Sequence, residues 1–109
     1  MFGPNLKEMN NVQFELRKSG EGSFFIMDGE EQIAKMEISV RQNLLTVYHT
    51  EVAEKSEGKG FAKALLNAMV EYARTNNLKV RTLCSYVHFQ FSQHPELYSD
   101  VWQKEDSDK

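Results

Sequence analysis

The sequence predicts an α+β domain, because its apolar residues change from a period of two to a helical period half-way along the chain. Four short β-type runs lie between Val12 and Thr50, the first of them strictly alternating, with turn residues between them. A helical repeat then starts at Phe61, and another β-type run follows at Lys79. A strand, a helix and a strand in this order imply a right-handed crossover with parallel pairing. We therefore expect an antiparallel meander leading into a parallel strand–helix–strand unit.

The meander is predicted strand by strand from its alternation and its turns. Val12, Phe14 and Leu16 alternate with polar residues, which is typical of a half-buried strand. Asp28-Gly29 is a hairpin signal, since glycine accepts a positive φ at little cost. The second, third and fourth strands are expected at Ser23 to Met27, Gln32 to Val40, and Leu44 to Thr50.

The second half is predicted to hold two helices and one strand. The long helix starts at Phe61, and Asn76-Asn77 suits the left-handed cap at its end. The fifth strand is expected at Lys79 to Cys84. Pro95 suits the first position of a short last helix, which we expect to reach Trp102.

Length and composition indicate a single domain. A chain of 109 residues accommodates one compact unit, with an ordered core expected at about 12–102 and a frayed tail at 103–109. Its single cysteine, Cys84, excludes an internal disulfide and a multi-cysteine zinc site, which fits a reducing cytosol. No run approaches the roughly 18 apolar residues of a membrane span, and Met1 to Asn11 lacks signal-peptide features. We expect a cytoplasmic protein without membrane association.

The charge pattern argues against nucleic acid as a partner. The formal charge is −3, and acidic and basic residues are mixed along the chain without a concentrated basic face. No His, Asp or Glu cluster has metal-ligand spacing, so no metal is predicted. A mildly acidic surface would suit a cationic amine as substrate.

The segment Gly58-Lys59-Gly60, which contains a glycine pair, lies between the fourth predicted strand and the long helix. A helix N-terminus offers unpaired N–H groups and the positive end of the dipole, and glycines let a phosphate approach the backbone. Lys55, Lys59 and Lys63 add positive charge nearby. The pair could equally be a flexible turn, and it is neither a Walker A loop nor a full dinucleotide fingerprint.

In this context the chain from Leu44 to Leu83 resembles the acetyl-CoA-binding core of the GNAT superfamily of N-acetyltransferases. That core has a strand ending in Val, a Gln/Arg-x-x-Gly-x-Gly/Ala loop, a helix and a parallel strand. Here Lys55 replaces the usual Gln or Arg of the loop, which runs to Gly60. Glu57 stands where a basic residue is frequent and places a negative charge near the phosphate site.

The chain is also similar to a small, minimal subgroup of that superfamily. The shared motifs, which occur here in the same order, are His49-Thr50-Glu51-Val52, Cys84-Ser85-Tyr86-Val87 and His94-Pro95-Glu96 around the glycine pair. The resemblance covers about Phe14 to Asp100 and implies a small GNAT-like fold. It is far more specific than the glycine pair alone.

The resemblance implies a binding mode for acetyl-CoA. GNAT enzymes splay the fourth and fifth strands, so that the thioester lies between them and a backbone N–H meets its carbonyl oxygen. Thr50, Glu51 and Val52 would make those contacts. The pyrophosphate would be held by N–H groups of Ser56, Glu57, Gly58, Lys59, Gly60, Phe61 and Ala62. The acceptor would be an unidentified amine on a small molecule or a protein, with the enzyme a monomer or weak dimer.

Two residues are candidate catalysts. His49, at the end of the fourth strand, could be a general base, or it could be a strand histidine bonded to a neighbour. Glu51 is the rival base, or a solvated charge. Cys84 could be a nucleophile that carries acetyl, an acid that protonates the thiolate, or an inert buried residue. Direct transfer is the default mechanism of the superfamily, with an acetyl-cysteine as the variant.

Other polar residues have weaker cases. Tyr86 and Tyr98 are possible acids, although tyrosines in such places commonly just pack. His94 is interpreted as a helix-start residue, and His88 has no evident partner in the sequence.

The sequence therefore predicts an acetyl-CoA-dependent N-acetyltransferase. The alternatives are a non-catalytic module that binds coenzyme A or acyl-CoA, and an interaction domain that has lost the ligand, which Glu57 would favour. So short a chain has little material for an acceptor-binding lobe, so the acceptor site is expected to be open or completed by a partner.

Overall fold

The protein forms a five-stranded mixed sheet with its helices following the fourth and fifth strands, as a computed structural model of residues 11–104 shows. The strands are β1 (Val12–Leu16), β2 (Glu21–Asp28), β3 (Glu31–Arg41), β4 (Leu44–Val52) and β5 (Lys79–Thr82). The helices are α1 (Phe61–Thr75), α2 (Ser85–Gln93) and α3 (Pro95–Tyr98), and a 3-10 turn spans Glu54–Ser56. The predicted signal-free start and most of the predicted frayed tail lie outside the described residues.

The strands are ordered as they occur in the sequence. Neighbouring pairs from β1 to β4 are antiparallel, and β4 pairs with β5 in parallel after the α1 crossover. This confirms the predicted α+β class and the meander that leads into a parallel unit. The parallel pairing puts the C-terminal end of β4 and the start of α1 at one edge of the sheet.

Helix α1 closes one face of the sheet because its apolar residues form a single stripe. Leu65, Leu66 and Met69 are fully buried and belong to the same core cluster as Met36 and Val47 of the sheet. Each such side chain contributes roughly 1.5–3 kcal/mol by leaving water. This packing fixes the position of the N-terminal end of α1 relative to β4.

The sheet has two unlike faces. On β3, Ala34, Met36 and Ile38 are buried towards α1. Lys35 and Glu37 alternate with them, form an ion pair at 3.2 Å, and lie on the opposite side, which we call the outer face.

The predicted fifth strand is two residues too long. β5 ends at Thr82, and the N–H groups of Leu83 and Cys84 both donate to the carbonyl oxygen of Val47, at 3.1 and 2.9 Å. The chain then turns directly into α2, which the sequence analysis did not predict. Cys84 is therefore the residue that precedes α2 and not the last residue of a strand.

The last helix is also shorter than predicted. α3 ends at Tyr98, and Trp102 instead makes an isolated parallel bridge with Val80 on the far edge of β5. The N–H of Gln103 donates to the carbonyl of Val80 at 2.9 Å, so backbone pairing extends to the first residue of the predicted tail. The predicted cap of α1 is confirmed at Asn77, which has a φ of 58°.

Candidate functional site

A β-bulge interrupts β4 just before the His49-Thr50-Glu51-Val52 motif. Glu37 pairs with His49 and Ile38 pairs with Val47, so Tyr48 is an extra residue without a partner on β3. A bulge bends the strand and increases its twist. The end of β4 therefore departs from the direction of its first four residues.

The pairing of β4 with β5 stops at the same place. The parallel ladder runs from Leu44–Lys79 to Val47–Thr82, whereas β4 continues to Val52. Because Ala53 donates its N–H to Ile33 of β3, the ladder alternation directs the N–H groups of Thr50 and Val52 away from β3. These two N–H groups point to the side of β4 that β5 has left, and we call this space the β4–β5 opening.

A groove of about 380 Å³ lies on the helix side of the β4–β5 opening. Its lining comes from the end of β4, the loop before α1, the first turn of α1 and the start of α2. The lining residues are Thr50, Val52, Ser56, Glu57, Gly58, Gly60, Phe61, Ala62, Lys63 and Tyr86. The groove thus brings together eight of the ten residues predicted to hold acetyl-CoA, leaving out Glu51 and Lys59.

The two glycines of the loop are required by backbone conformation. Gly58 has a φ of 80° and Gly60, the N-cap of α1, has a φ of 85°, both in the region that disfavours other residues. A Cβ at either position would meet no atom within 4 Å. The first N–H groups of α1 lack intrahelical partners, and their residues Phe61, Ala62 and Lys63 line the groove. The loop is therefore an open cradle of backbone donors, which suits a pyrophosphate.

The charged side chains of this segment point in different directions. Lys55 donates a hydrogen bond to Glu31 at 2.7 Å, which raises the pKa of Lys55 above its usual value. Neither Lys55 nor Lys59 lines the groove, whereas Lys63 and Glu57 do. The groove lining therefore includes one basic and one acidic residue.

Cys84 lies deep beside the groove. Its Sγ is 3.3 Å from the Oγ1 of Thr50, and its side chain is only 5% exposed. Because Thr50 lines the groove and contacts the thiol, the Thr50 side chain separates the thiol from the groove. This contact joins β4 to the start of α2.

His49 and Cys84 are on opposite sides of the sheet. His49 pairs with Glu37, and Glu51 pairs with Lys35, so both side chains lie on the outer face. His49 Nε2 is 3.7 Å from a carboxylate oxygen of Glu51, and both side chains are well exposed. The structure does not bring the two predicted catalysts together directly, and the β4–β5 opening lies between their faces.

The two tyrosines considered as acids are in different places. Burial raises the pKa of both Tyr86 and Tyr98 above the usual value. Tyr86 lines the groove from the first turn of α2. Tyr98 is buried and stacks on Phe91 with ring centroids 4.5 Å apart, so it is a packing residue.

The remaining histidines have structural partners. His88, for which the sequence indicated no partner, lies with Nδ1 3.0 Å from the Oγ1 of Thr82 and makes an edge contact with Trp102. His94 separates α2 from α3, at the predicted helix start before Pro95. Across residues 11–104, no three His, Cys, Asp or Glu side chains converge in a way that could hold a metal ion. Over the same range, no helix is long and apolar enough to cross a membrane.

A second, larger depression of about 750 Å³ occupies the outer face of β1 to β4. Tyr48, the bulge residue, and Phe25 supply its aromatic surface, and the hydroxyl of Tyr48 hydrogen-bonds to Ser39 at 2.8 Å. Its charged residues are Glu15, Arg17, Glu21, Lys35 and Glu37. The described part of the chain contributes no helix to this lining.

Comparison with protein families identifies the family to which a chain with this geometry belongs. The family model described as GCN5-related N-acetyl-transferase matches residues 23–101, which is most of the chain. The chain belongs to this family. The match includes the bulged β4, the glycine loop, α1 and the Cys84 motif. A search of curated proteins finds no similar sequence.

Solved structures agree with this assignment. A GCN5-like candidate N-acetyltransferase from Staphylococcus aureus is 31% identical, with a TM-score of 0.65, and the match covers 88% of this chain and 92% of that one. The ribosomal-protein-S18-alanine N-acetyltransferase of Escherichia coli has a TM-score of 0.54 at 14% identity, and the match covers 59% of this chain and 42% of that enzyme. The ribosomal-protein-alanine N-acetyltransferase of Brucella melitensis has a TM-score of 0.56 at 16% identity, covering 83% and 69% of the two chains. The last two likenesses show the fold alone.

The groove includes two residues outside the predicted cofactor set. Lys63 lies one helical turn beyond Gly60, so its place in the first turn of α1 could have indicated it. The sequence indicates Tyr86 only as a possible acid, because it does not predict α2. That helix carries Tyr86 to the groove. Both positions depend on helix geometry rather than on the glycine motif.

Proposed function

We propose that this protein is an acetyl-CoA-dependent N-acetyltransferase that moves an acetyl group to an amine acceptor. The observation that carries the proposal is the groove beside the β4–β5 opening, which joins the glycine loop to the free N–H groups at the end of β4. Family membership supplies the reaction class. The acceptor and the roles of single residues are part of the proposal.

The groove suits coenzyme A at both of its ends. At one end, the N–H groups from Ser56 to Ala62 would bind the pyrophosphate through the backbone. At the other end, Thr50 and Val52 direct their N–H groups into the β4–β5 opening. A thioester there would have its carbonyl oxygen within reach of one of these donors, which would stabilise the negative charge that develops on that oxygen.

The acceptor would approach from the outer face. There, His49 lies beside Glu51, and the depression that includes Tyr48 and Phe25 leads up to the bulge. His49 would take a proton from the ammonium group, and the free amine would attack the thioester carbon. The C–N bond forms, the nitrogen releases its second proton, the C–S bond breaks, and the coenzyme A thiolate takes a proton. Tyr86, which lines the groove, would donate a proton to sulfur and recover the one that the nitrogen releases. A phenol is protonated at neutral pH, and burial raises the pKa of Tyr86 further.

The contact between Cys84 and Thr50 leaves a covalent variant to test. In that variant the Cys84 thiolate would attack the thioester, take over the acetyl group and release coenzyme A thiolate, before an amine removed the acetyl group from sulfur. Cys84 is buried and does not line the groove, which supports direct transfer.

Binding and transfer are tested separately. Isothermal titration with acetyl-CoA comes first, and absence of heat and of a thermal shift at millimolar ligand would contradict both ligand-binding functions. A panel of amines and lysine peptides is then incubated with acetyl-CoA and the released thiol is measured. We expect release that depends on one class of amine.

A non-catalytic acyl-CoA-binding module is the second candidate function. It is favoured by the separation of the two candidate catalysts, since His49 and Cys84 lie on opposite sides of the sheet. Binding of acetyl-CoA without thiol release for any amine, and without self-acetylation by mass, would favour this candidate.

A further inference from the structure

The loop before α1 and the first turn of α1 together carry three lysines, Lys55, Lys59 and Lys63, at intervals of four residues. Resemblance in sequence points to Lys55 as the residue beside the pyrophosphate, since it replaces the Gln or Arg of the family motif. The structure separates the three. Lys63 lines the groove, Lys55 is hydrogen-bonded to Glu31, and the Lys59 side chain is exposed without lining the groove.

We propose that Lys63 is the side-chain cation for the pyrophosphate, and that Lys55 positions the binding loop by an ion pair with Glu31 of β3. The proposal rests on the function proposed above and names how its phosphate end works. It assigns Lys55 a positioning role and Lys63 a binding role.

The geometry of the groove supports Lys63. It belongs to the first turn of α1, directly after Phe61 and Ala62, which line the same groove. A flexible ammonium there adds a mobile point charge to the fixed backbone donors. In the described part of the chain it is the one cation among the residues that line this groove. Its charge also offsets that of Glu57.

The geometry of Lys55 supports positioning. Its ammonium is 2.7 Å from Glu31, which lies at the tip of the β2–β3 hairpin. A second contact joins the same two segments, since Ala53 donates its N–H to the carbonyl oxygen of Ile33 at 2.8 Å. Together the two contacts hold both ends of the segment from Ala53 to Lys55 against β3. Ser56, which follows directly, is buried and lines the groove, so movement of this segment would displace a groove wall.

A charge swap distinguishes the two roles. Lys55→Glu and Glu31→Lys each break the ion pair, and we expect each to weaken acetyl-CoA binding by about two- to fivefold, the size expected of an exposed pair. The double variant Glu31→Lys/Lys55→Glu restores the pair with its ends exchanged. If Lys55 acts by positioning, the double variant binds as the wild type does. If Lys55 contacts phosphate directly, the double variant stays as weak as Lys55→Glu, and the proposal is wrong.

Lys63 is tested by titration with coenzyme A at low and high salt. Lys63→Ala should lose about three- to tenfold in affinity at low salt, and the loss should shrink at high salt because the contact is charge-assisted and exposed. Glu57→Gln should tighten binding. Lys18→Ala, in the β1–β2 turn, is the matched lysine control and should bind normally. Lys59→Ala should lose less than Lys63→Ala, since Lys59 does not line the groove.

The outcomes separate this inference from the function it rests on. If the wild type does not bind coenzyme A, the proposed function fails. If the wild type binds and Lys63→Ala binds equally well, or Lys59→Ala loses as much, the assignment of Lys63 is overturned while the function stands. Thermal unfolding of each variant checks that affinity changes do not come from unfolding.

Discussion

The hydroxyl of Thr50 lies 3.3 Å from the sulfur of Cys84, across the point where β4 and β5 separate. Thr50 follows the bulge in β4 and lines the groove, whereas Cys84 precedes α2 and is buried. The contact ties the opened end of the sheet to the helix that follows β5. It also makes Cys84 a residue whose structural and chemical roles must be separated by experiment.

Replacing Cys84 with alanine separates those roles. We expect Cys84→Ala to lower the free energy of unfolding by about 1 kcal/mol, since a small buried side chain is lost. Direct transfer predicts that turnover falls less than about tenfold and that no acetyl adduct builds up on the wild type. Urea unfolding, thiol release and intact-protein mass measure the three quantities. A variant that folds but is inactive, together with an acetyl adduct on wild-type Cys84, would support the covalent mechanism.

Replacing Gly60 with alanine tests the cradle. A residue with a Cβ at its φ of 85° costs about 1 kcal/mol, and we expect Gly60→Ala to lose coenzyme A affinity as well because the loop shifts. Gly29→Ala is the matched control, since Gly29 also has a positive φ, 64°, with open space around it, but lies in the β2–β3 turn. Equal stability losses with a binding defect only at Gly60 are expected. Normal binding by Gly60→Ala would show that the phosphate site lies elsewhere.

Replacing Tyr86 with phenylalanine tests the proposed proton donor. Tyr86→Phe keeps the ring in the groove and removes the hydroxyl, so affinity for acetyl-CoA should change little while kcat falls about a hundredfold. Burial raises the pKa of Tyr86 above its ordinary value of 10.0, so the wild type should lose activity only above that pH, where the phenol ionises. A pH–rate profile measures this alkaline limb. If the limb persists unchanged in Tyr86→Phe, another group supplies the proton.

Replacing Asp100 tests the contact that holds the C-terminal segment to α1. Arg74 donates to both carboxylate oxygens of Asp100, at 2.9 and 3.1 Å, and hydrogen bonding to Arg74 is the main cause of the lowered pKa of Asp100. A lowered folded-state pKa contributes stability above the unfolded pKa of about 3.9, and that stability is lost as pH falls through the folded value. Asp100→Asn should therefore cost about 0.5–1 kcal/mol at pH 7, and the difference should vanish at about pH 2.

Urea unfolding at the two pH values measures that difference. Glu30→Gln, in the exposed β2–β3 turn, is the control for loss of a surface carboxylate and should be neutral at pH 7. An equal loss in both variants at pH 7 would attribute the effect to net charge instead of to the Arg74 contact.

The meander and α1 were predictable because each rests on local patterns. Val12, Phe14 and Leu16 alternate with polar neighbours, and the apolar stripe of α1 repeats over several turns. The end of β5 was not predictable in this way. It depends on the hydrogen bonds that the N–H groups of Leu83 and Cys84 donate to the carbonyl oxygen of Val47, and these bonds join distant segments of the chain. Local patterns do not encode where two strands part.

Helix α2 was missed for a different reason. Tyr86, Val87, Phe89 and Phe91 favour strands intrinsically, and only Val87 and Phe91 are buried, four residues apart. Tertiary packing of that pair overrides local preference. The glycine motif predicted most of the groove lining, since it spans one continuous segment. It could not show that the Lys55 side chain turns to Glu31, because Glu31 lies 24 positions earlier in the chain.

The bulge at Tyr48 changes the course of β4 without changing which residues face the helices. Were Tyr48 deleted, an unbroken strand would still alternate so that Val47, Thr50 and Val52 face α1 and His49 and Glu51 face outward. Such a chain would lack the bend, so β5 could extend its pairing along β4 and close the gap between the two strands. The one extra residue therefore keeps the two strands apart. Deleting it should leave a well-folded domain in which the β4–β5 opening is closed.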